Sequence, residues 1–279
     1  MTRINYNYSD DCCNEQTGYD SLLCKFRLII PDFLRLQKKL FNHLSMKTIR
    51  PILLLIALMC VKFGFSHALW IETSPSGITG QNQQVRVYYG EYAHGLIDPV
   101  DKWYSDVKDF KLYLVAPGAE PVELKKTTQH DHFSSDFTPS GDGTYALLVV
   151  HPAKDPYETS AFEFSSLAQV VVGKPSTQTL EIPIMVQTDA TGSYNLGDQV
   201  QAVISQGGAP LAQVAVEVAV PDGWTKNLQT DAQGKISFQA PVKGKYIVEV
   251  SKTDDQPGDW FGKSIEKVWR ATTTVIYVD

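Results

Sequence analysis

The chain has 279 residues, carries 31 acidic against 25 basic side chains for a net charge of -6, and is 43% hydrophobic. That apolar content suffices for ordinary globular cores. The acidic balance, with no Lys/Arg cluster past residue 67, excludes a phosphate-backbone binder, so nucleic acid is not an expected partner.

Residues 1–45 match no export pattern and read as an over-extended N-terminus ahead of a start-like Met46; the alternative is a short region before an uncleaved anchor. Residues 46–66, MKTIRPILLLIALMCVKFGFS, place Lys47 and Arg50 before an uncharged run from Pro51 to Val61, the grammar of a secretory signal peptide. At roughly 1.5 Å per residue that run covers about 16 Å of a hydrocarbon core about 30 Å thick, so no stable membrane span is expected after cleavage. Met59 stands before Cys60 where a lipoprotein would need a small residue, which argues against lipidation. Cleavage after Ser66 would leave His67 first, and cleavage after Ala68 would leave Leu69 first; both satisfy the small-residue rule. The expected location is periplasmic or secreted. All four cysteines (Cys12, Cys13, Cys24, Cys60) precede His67, so the exported part has neither a disulfide nor a thiolate site.

Past residue 67, alternating or continuous apolar segments recur between Gly, Pro, Asn and Asp clusters, which predicts an all-β chain. Strands are expected over 83–92, 110–117, 122–128, 132–137, 144–151 and 161–173, and then over 182–188, 199–206, 212–221, 228–240, 245–252 and 267–279. Phe137 and Tyr145 are eight residues apart, as are Phe238 and Tyr246, and each tyrosine follows Gly-x. This echo, with a linker near 173–183, divides the chain into two tandem immunoglobulin-like or transthyretin-like β-sandwich domains, 67–175 and 183–279. Asp231 and Gly234 read as turn formers, and KTDDQPGDW (252–260) as a solvated turn.

The chemistry concentrates in the first domain. His67, His94, His130, His132 and His151 all lie there, and the second domain has no histidine. Imidazole is the commonest transition-metal side-chain ligand, so these five are the candidate metal ligands. His130 and His132 sit at i and i+2, which on a strand puts both on one face; in a turn they are solvated polar residues. His151 closes an apolar strand at a rim, and His94 follows a strand near Glu91, where a loop would bring imidazole and carboxylate together. If His67 is the first residue, its α-amine and ring nitrogen close a chelate on one ion, and both must lose protons to do so. Two further imidazoles would complete a nitrogen-rich site for Ni(II), Co(II) or Cu(II), with Zn also suited; Cu(I) is disfavoured, since Met185 is the one soft sulfur past residue 66.

HALWIETSPSG, VRVYYGEYAHG and SDFTPSGDGTYALLVVHP, followed by a second half ending VWRATTTVIYV, resemble a poorly characterised exported family assigned to cobalt and nickel uptake. The second half, with GAPLAQVAVEV, TDAQGKISF and GKY, is similar to transthyretin-like or carboxypeptidase-regulatory-like modules. The resemblance implies that His67 is retained as a ligand. It departs from the family at Gly90 and His94, which Glu91-Tyr92-Ala93 separate. The expected function is non-enzymatic capture or delivery of a divalent transition metal, with a metal transporter or outer-membrane receptor as partner. One alternative is a structural or adhesive module using aromatics such as Trp103, Trp224 and Trp260; the other is a copper monooxygenase built on an N-terminal histidine. No Gly-x-Ser-x-Gly elbow, His-Glu-x-x-His helix or Walker loop supports a hydrolase.

Overall fold

A computed structural model describes residues 67–188 and 193–279; the expected N-terminal extension and signal peptide lie outside them. The described residues form strands and three short 3-10 turns, Tyr92–His94, Val100–Lys102 and Val107–Asp109, with no α-helix among them. The chain is all-β, as its alternation predicts.

Three sheets build the fold. A five-stranded sheet runs in the order Ala68–Glu72, Gln83–Glu91, Phe133–Phe137, Thr127–Thr128, with Leu96–Ile97 also paired to Gln83–Glu91. A four-stranded sheet centres on Gln199–Gln206, flanked by Ile184–Thr188, Ala209–Pro210 and Lys235–Gln239. The third sheet has ten strands, and its spine is Ala215–Ala219, Gly244–Trp260, Lys263–Val278, Ser160–Val172 and Gly143–Pro152. Lys263–Val278 pairs antiparallel with Gly244–Trp260 and parallel with Ser160–Val172, from Ser160↔Lys267 to Leu167↔Thr274. The last strand therefore joins the two halves of the sequence in one continuous sheet. Its run from Ala271 to Ile276 is buried on both faces, which explains why ATTTVI shows no polar alternation.

Each half keeps a core of its own. Leu69, Ile71, Val85, Val87 and Tyr89 pack against Tyr145, Leu147, Val149, Phe164 and Val170. Ile184, Val186, Val200, Ile204 and Phe238 pack against Val216, Val218, Tyr246, Val248 and Ile276. A third cluster joins the halves: Ala68, Trp70 and Tyr92 meet Ala219, Ile247 and Val275. The strand Ala68–Glu72 is thus sandwiched, with alternate side chains entering different clusters, and Ala68 to Ile71 are all buried. Residues 173–183 form no strand, but Leu180 and Ile182 pack beside Val115, Ala146, Leu148 and Leu167.

The tyrosine echo is a repeated structural device. The Tyr145 hydroxyl donates to Gly141 O at 3.0 Å and accepts from the Ser140 and Gly141 N–H groups. The Tyr246 hydroxyl donates to Val242 O at 2.6 Å and accepts from Val242 N. Each is a tyrosine corner that ties a buried ring to the backbone four residues upstream. Phe137 lies 5.7 Å from Tyr145 between ring centroids, and Phe238 lies 6.1 Å from Tyr246.

Three local expectations are corrected. The segment 122–128 is strand only at Val122–Glu123 and Thr127–Thr128. Between them the Lys126 ammonium sits 3.8 Å from the Phe110 ring centroid and 4.7 Å from that of Phe133, and donates to Lys108 O and Phe110 O. The segment 252–260 is strand, with a register shift between Asp255 and Gly258 around Pro257, where a residue without an N–H is tolerated. The polar stretch is held by Arg270, which donates to Asp254 Oδ2 at 3.0 Å and to Gln256 Oε1 at 2.8 Å. The segment 228–240 is broken at Asp231, whose Oδ1 accepts the N–H groups of Gln233 and Lys235, so its two parts join different sheets.

Candidate functional site

His67 precedes the first strand, and the register Ala68↔Gly90 puts it opposite the end of Gln83–Glu91. The chain then turns through Tyr92–His94 and doubles back, with Gly90↔Ile97 and Glu91↔Leu96 paired. The return is close: a Cβ at Gly90, whose φ is +153, would lie 2.4 Å from Leu96 O, so only glycine admits it. Asp98 N–H donates to Tyr89 O at 2.9 Å, which brings the Asp98 carboxylate back beside His67.

The His67 ring lies between two carboxylates. Its Nε2 is 3.2 Å from Asp98 Oδ2, and its Nδ1 is 3.6 Å from Glu91 Oε1. The second Glu91 oxygen is 4.0 Å from His94 Nδ1. A ring nitrogen facing a carboxylate needs a positive species between them, and either a proton or a metal ion meets that need. The Asp98 side has a hydrogen-bonding distance and the Glu91 side a longer one, so Nε2–H donates to Asp98 and Nδ1 is directed toward Glu91 and His94. Carboxylates orient metal-binding imidazoles through the second ring nitrogen in this way. The His67 ring also rests 5.4 Å from Tyr89, whose phenol is pushed up by burial and further by Asp98 and Tyr104.

The structure brings His67 and His94 together through Glu91, and places the other three histidines elsewhere. His130 and His132 lie in the turn between Thr127–Thr128 and Phe133–Phe137, closed by Gln129 N–H donating to His132 O at 2.8 Å. The alternation that would align them on a strand face does not apply. His132 Nδ1 is 2.7 Å from Asp131 Oδ1, and its hydrogen bond holds that carboxyl low against the effect of burial. The His132 ring lies 5.1 Å from Tyr88, on the sheet face opposite the Tyr89 ring that contacts His67. His130 lines an open groove with Val100, Lys126 and Phe133. His151 is buried, with Nε2 3.2 Å from Asp106 Oδ1. Burial raises the Asp106 carboxyl, but the Lys154 N–H, the Lys154 ammonium and His151 outweigh it and hold it at about 2.

Among the described residues, no group of three histidine, cysteine or carboxylate side chains is placed to hold a metal ion. The donor chemistry at His67 is nonetheless suitable: two imidazoles and a carboxylate on the Nδ1 side of one ring. Asp98 is the residue that sequence reasoning missed. Its signal lay in the turn grammar Gly95-x-x-Asp98-Pro99, which returns the chain to the strand it has just left. No family model matches the chain, and no curated protein matches it.

Proposed function

We propose that the protein, exported and cleaved after Ser66, binds a divalent transition metal non-enzymatically and passes it to a metal transporter or outer-membrane receptor. The observation that carries this reading is the His67 ring, held by Asp98 on Nε2 and facing Glu91 and His94 with Nδ1. Cleavage at that peptide bond would convert an amide nitrogen, which is no ligand, into an amine that chelates together with Nδ1. The amine supplies the donor that the side chains alone do not, and Glu91 and His94 stand on the same side of the ring. Asp98 serves as the orienting residue. A nitrogen-rich set with one carboxylate suits Ni(II), Co(II) and Cu(II), with Zn(II) a competitor.

Binding competes with protons on the amine, of ordinary pKa about 7.7–8.0, and on the imidazole, about 6.5. Affinity therefore rises with pH across that interval. Calorimetric titration of the exported protein with Ni(II), Co(II), Cu(II) and Zn(II) at several pH values tests the reading. His67→Ala should abolish tight binding, and Asp98→Asn should weaken it about 10- to 100-fold, the usual cost of losing an orienting partner. Wild-type affinity unchanged by His67→Ala would overturn it.

A further inference from the structure

The exposed aromatic side chains are not the tryptophans. Trp103 is buried, Trp224 packs 5.7 Å from Tyr246, and the Trp260 indole donates to Ala153 O at 2.7 Å. The aromatics that face solvent are Tyr157, 67% exposed, and Phe261, 55% exposed, each beside the first residue or at the first position of a two-residue turn. Phe261 and Gly262 connect Trp260 to Lys263 with φ of +51 and +81. Glu158 and Thr159 connect the bridged pair Tyr157 and Ser160, with Glu158 at φ +55. The left-handed conformation disfavours a residue with a Cβ, and Asn or Gly is the ordinary occupant of such a hairpin position. Phe261 gains no burial in return, so its retention there has no packing explanation.

The two turns are locked to one another. Thr159 O accepts the Glu266 and Lys267 N–H groups at 2.8 and 3.2 Å, and Lys263 Nζ reaches Asp155 Oδ1 at 2.6 Å. Trp260 bridges them beneath, packed on Ala161, Ile265 and Val268, with its ring edge-on to Phe261 at 5.8 Å. Solvent-facing aromatic rings are therefore carried on a braced support whose rim bears the carboxylates Asp155, Glu158, Asp259 and Glu266. That rim outweighs Lys263 and Lys267 and repels an anionic membrane surface. It suits a neutral polyhydroxylated ligand, whose C–H faces stack on aromatic rings while its hydroxyls donate to carboxylates.

We propose that the paired turns carrying Tyr157 and Phe261 form a carbohydrate-binding platform for neutral glycans. It stands on observations separate from the His67 site and does not depend on the metal reading. The test uses the intact exported chain and soluble cello-, xylo-, manno- and chito-oligosaccharides, read by calorimetry and by the fluorescence of Trp260 beside Phe261. Phe261→Gly removes the ring and relieves the backbone, so it should raise the melting temperature while weakening binding about tenfold or more, as should Tyr157→Ala. Loss of binding in a variant that folds more stably separates a ligand contact from a structural role. The proposal is overturned if the wild type binds none of these glycans, if both variants bind like wild type, or if the platform instead binds phosphatidylglycerol vesicles or an apolar protein partner.

Discussion

Thr273→Val probes the joint on which the candidate site rests. The edge of Ala68–Glu72 away from its strand partner has no neighbouring strand in its own sheet, and two buried hydroxyls take its backbone groups. Ile71 N–H donates to Ser166 Oγ at 3.0 Å, and the Thr273 hydroxyl donates to Leu69 O at 2.7 Å. The two hydroxyls meet at 2.9 Å, and Ser166 and Thr273 are 0% and 1% exposed. Valine keeps the branched shape but leaves Leu69 O without its donor and Ser166 without its neighbour. An unsatisfied buried acceptor costs about 1–3 kcal/mol. Taking about 2 kcal/mol, a domain of this size should melt about 4–8 °C lower. Ser166→Ala should cost a similar amount, and because the hydroxyls form one chain, the double variant should fall short of the sum by about 1 kcal/mol or more. Urea unfolding at pH 7 of the four proteins measures this. Thr273→Val within about 0.5 kcal/mol of wild type, or strict additivity of the two losses, would refute the reasoning.

Other outcomes follow from individual contacts. Asp106 is held at about 2 in the folded chain, below the ordinary carboxylate value near 3.9, so its contribution is full above about pH 4 and is lost as pH falls toward 2. Asp106→Asn should therefore lower the urea midpoint at pH 7, by about 2 kcal/mol on that shift, and the gap from wild type should close below pH 3. Tyr145→Phe and Tyr246→Phe should each cost about 1–2 kcal/mol in denaturant unfolding, since each removes one corner hydrogen bond in a different core. The two losses should add, because the rings belong to separate clusters.

The sequence was legible where a residue's role is local. Alternation revealed the strands, and the repeated Gly-x-Tyr spacing marked two corners that the structure closes alike. Pairing partners were not legible. Nothing in VWRATTTVIYV distinguishes a strand that closes one half from one that also runs parallel to Ser160–Val172, because strand identity is local and partner choice is not. The polar stretch Thr253–Asp259 reads as a turn on composition, and only its cross-strand partners, Arg270 above all, explain why it remains extended. Spacing misled for His130 and His132, since i and i+2 share a face on a strand but not in the turn that Gln129 and His132 close. At the candidate site, His67, Glu91 and His94 were visible as residue types, whereas Asp98 joined them through a backbone return that needs Gly90.

Native mass spectrometry of the protein exported from cells and loaded with Ni(II) tests the central claim most directly, since one spectrum reports both the first residue and the bound ion. The account predicts a chain beginning at His67 that retains one metal ion, and loss of that ion in His67→Ala. A chain beginning at Leu69, or one beginning at His67 that holds no metal at neutral pH, would contradict it.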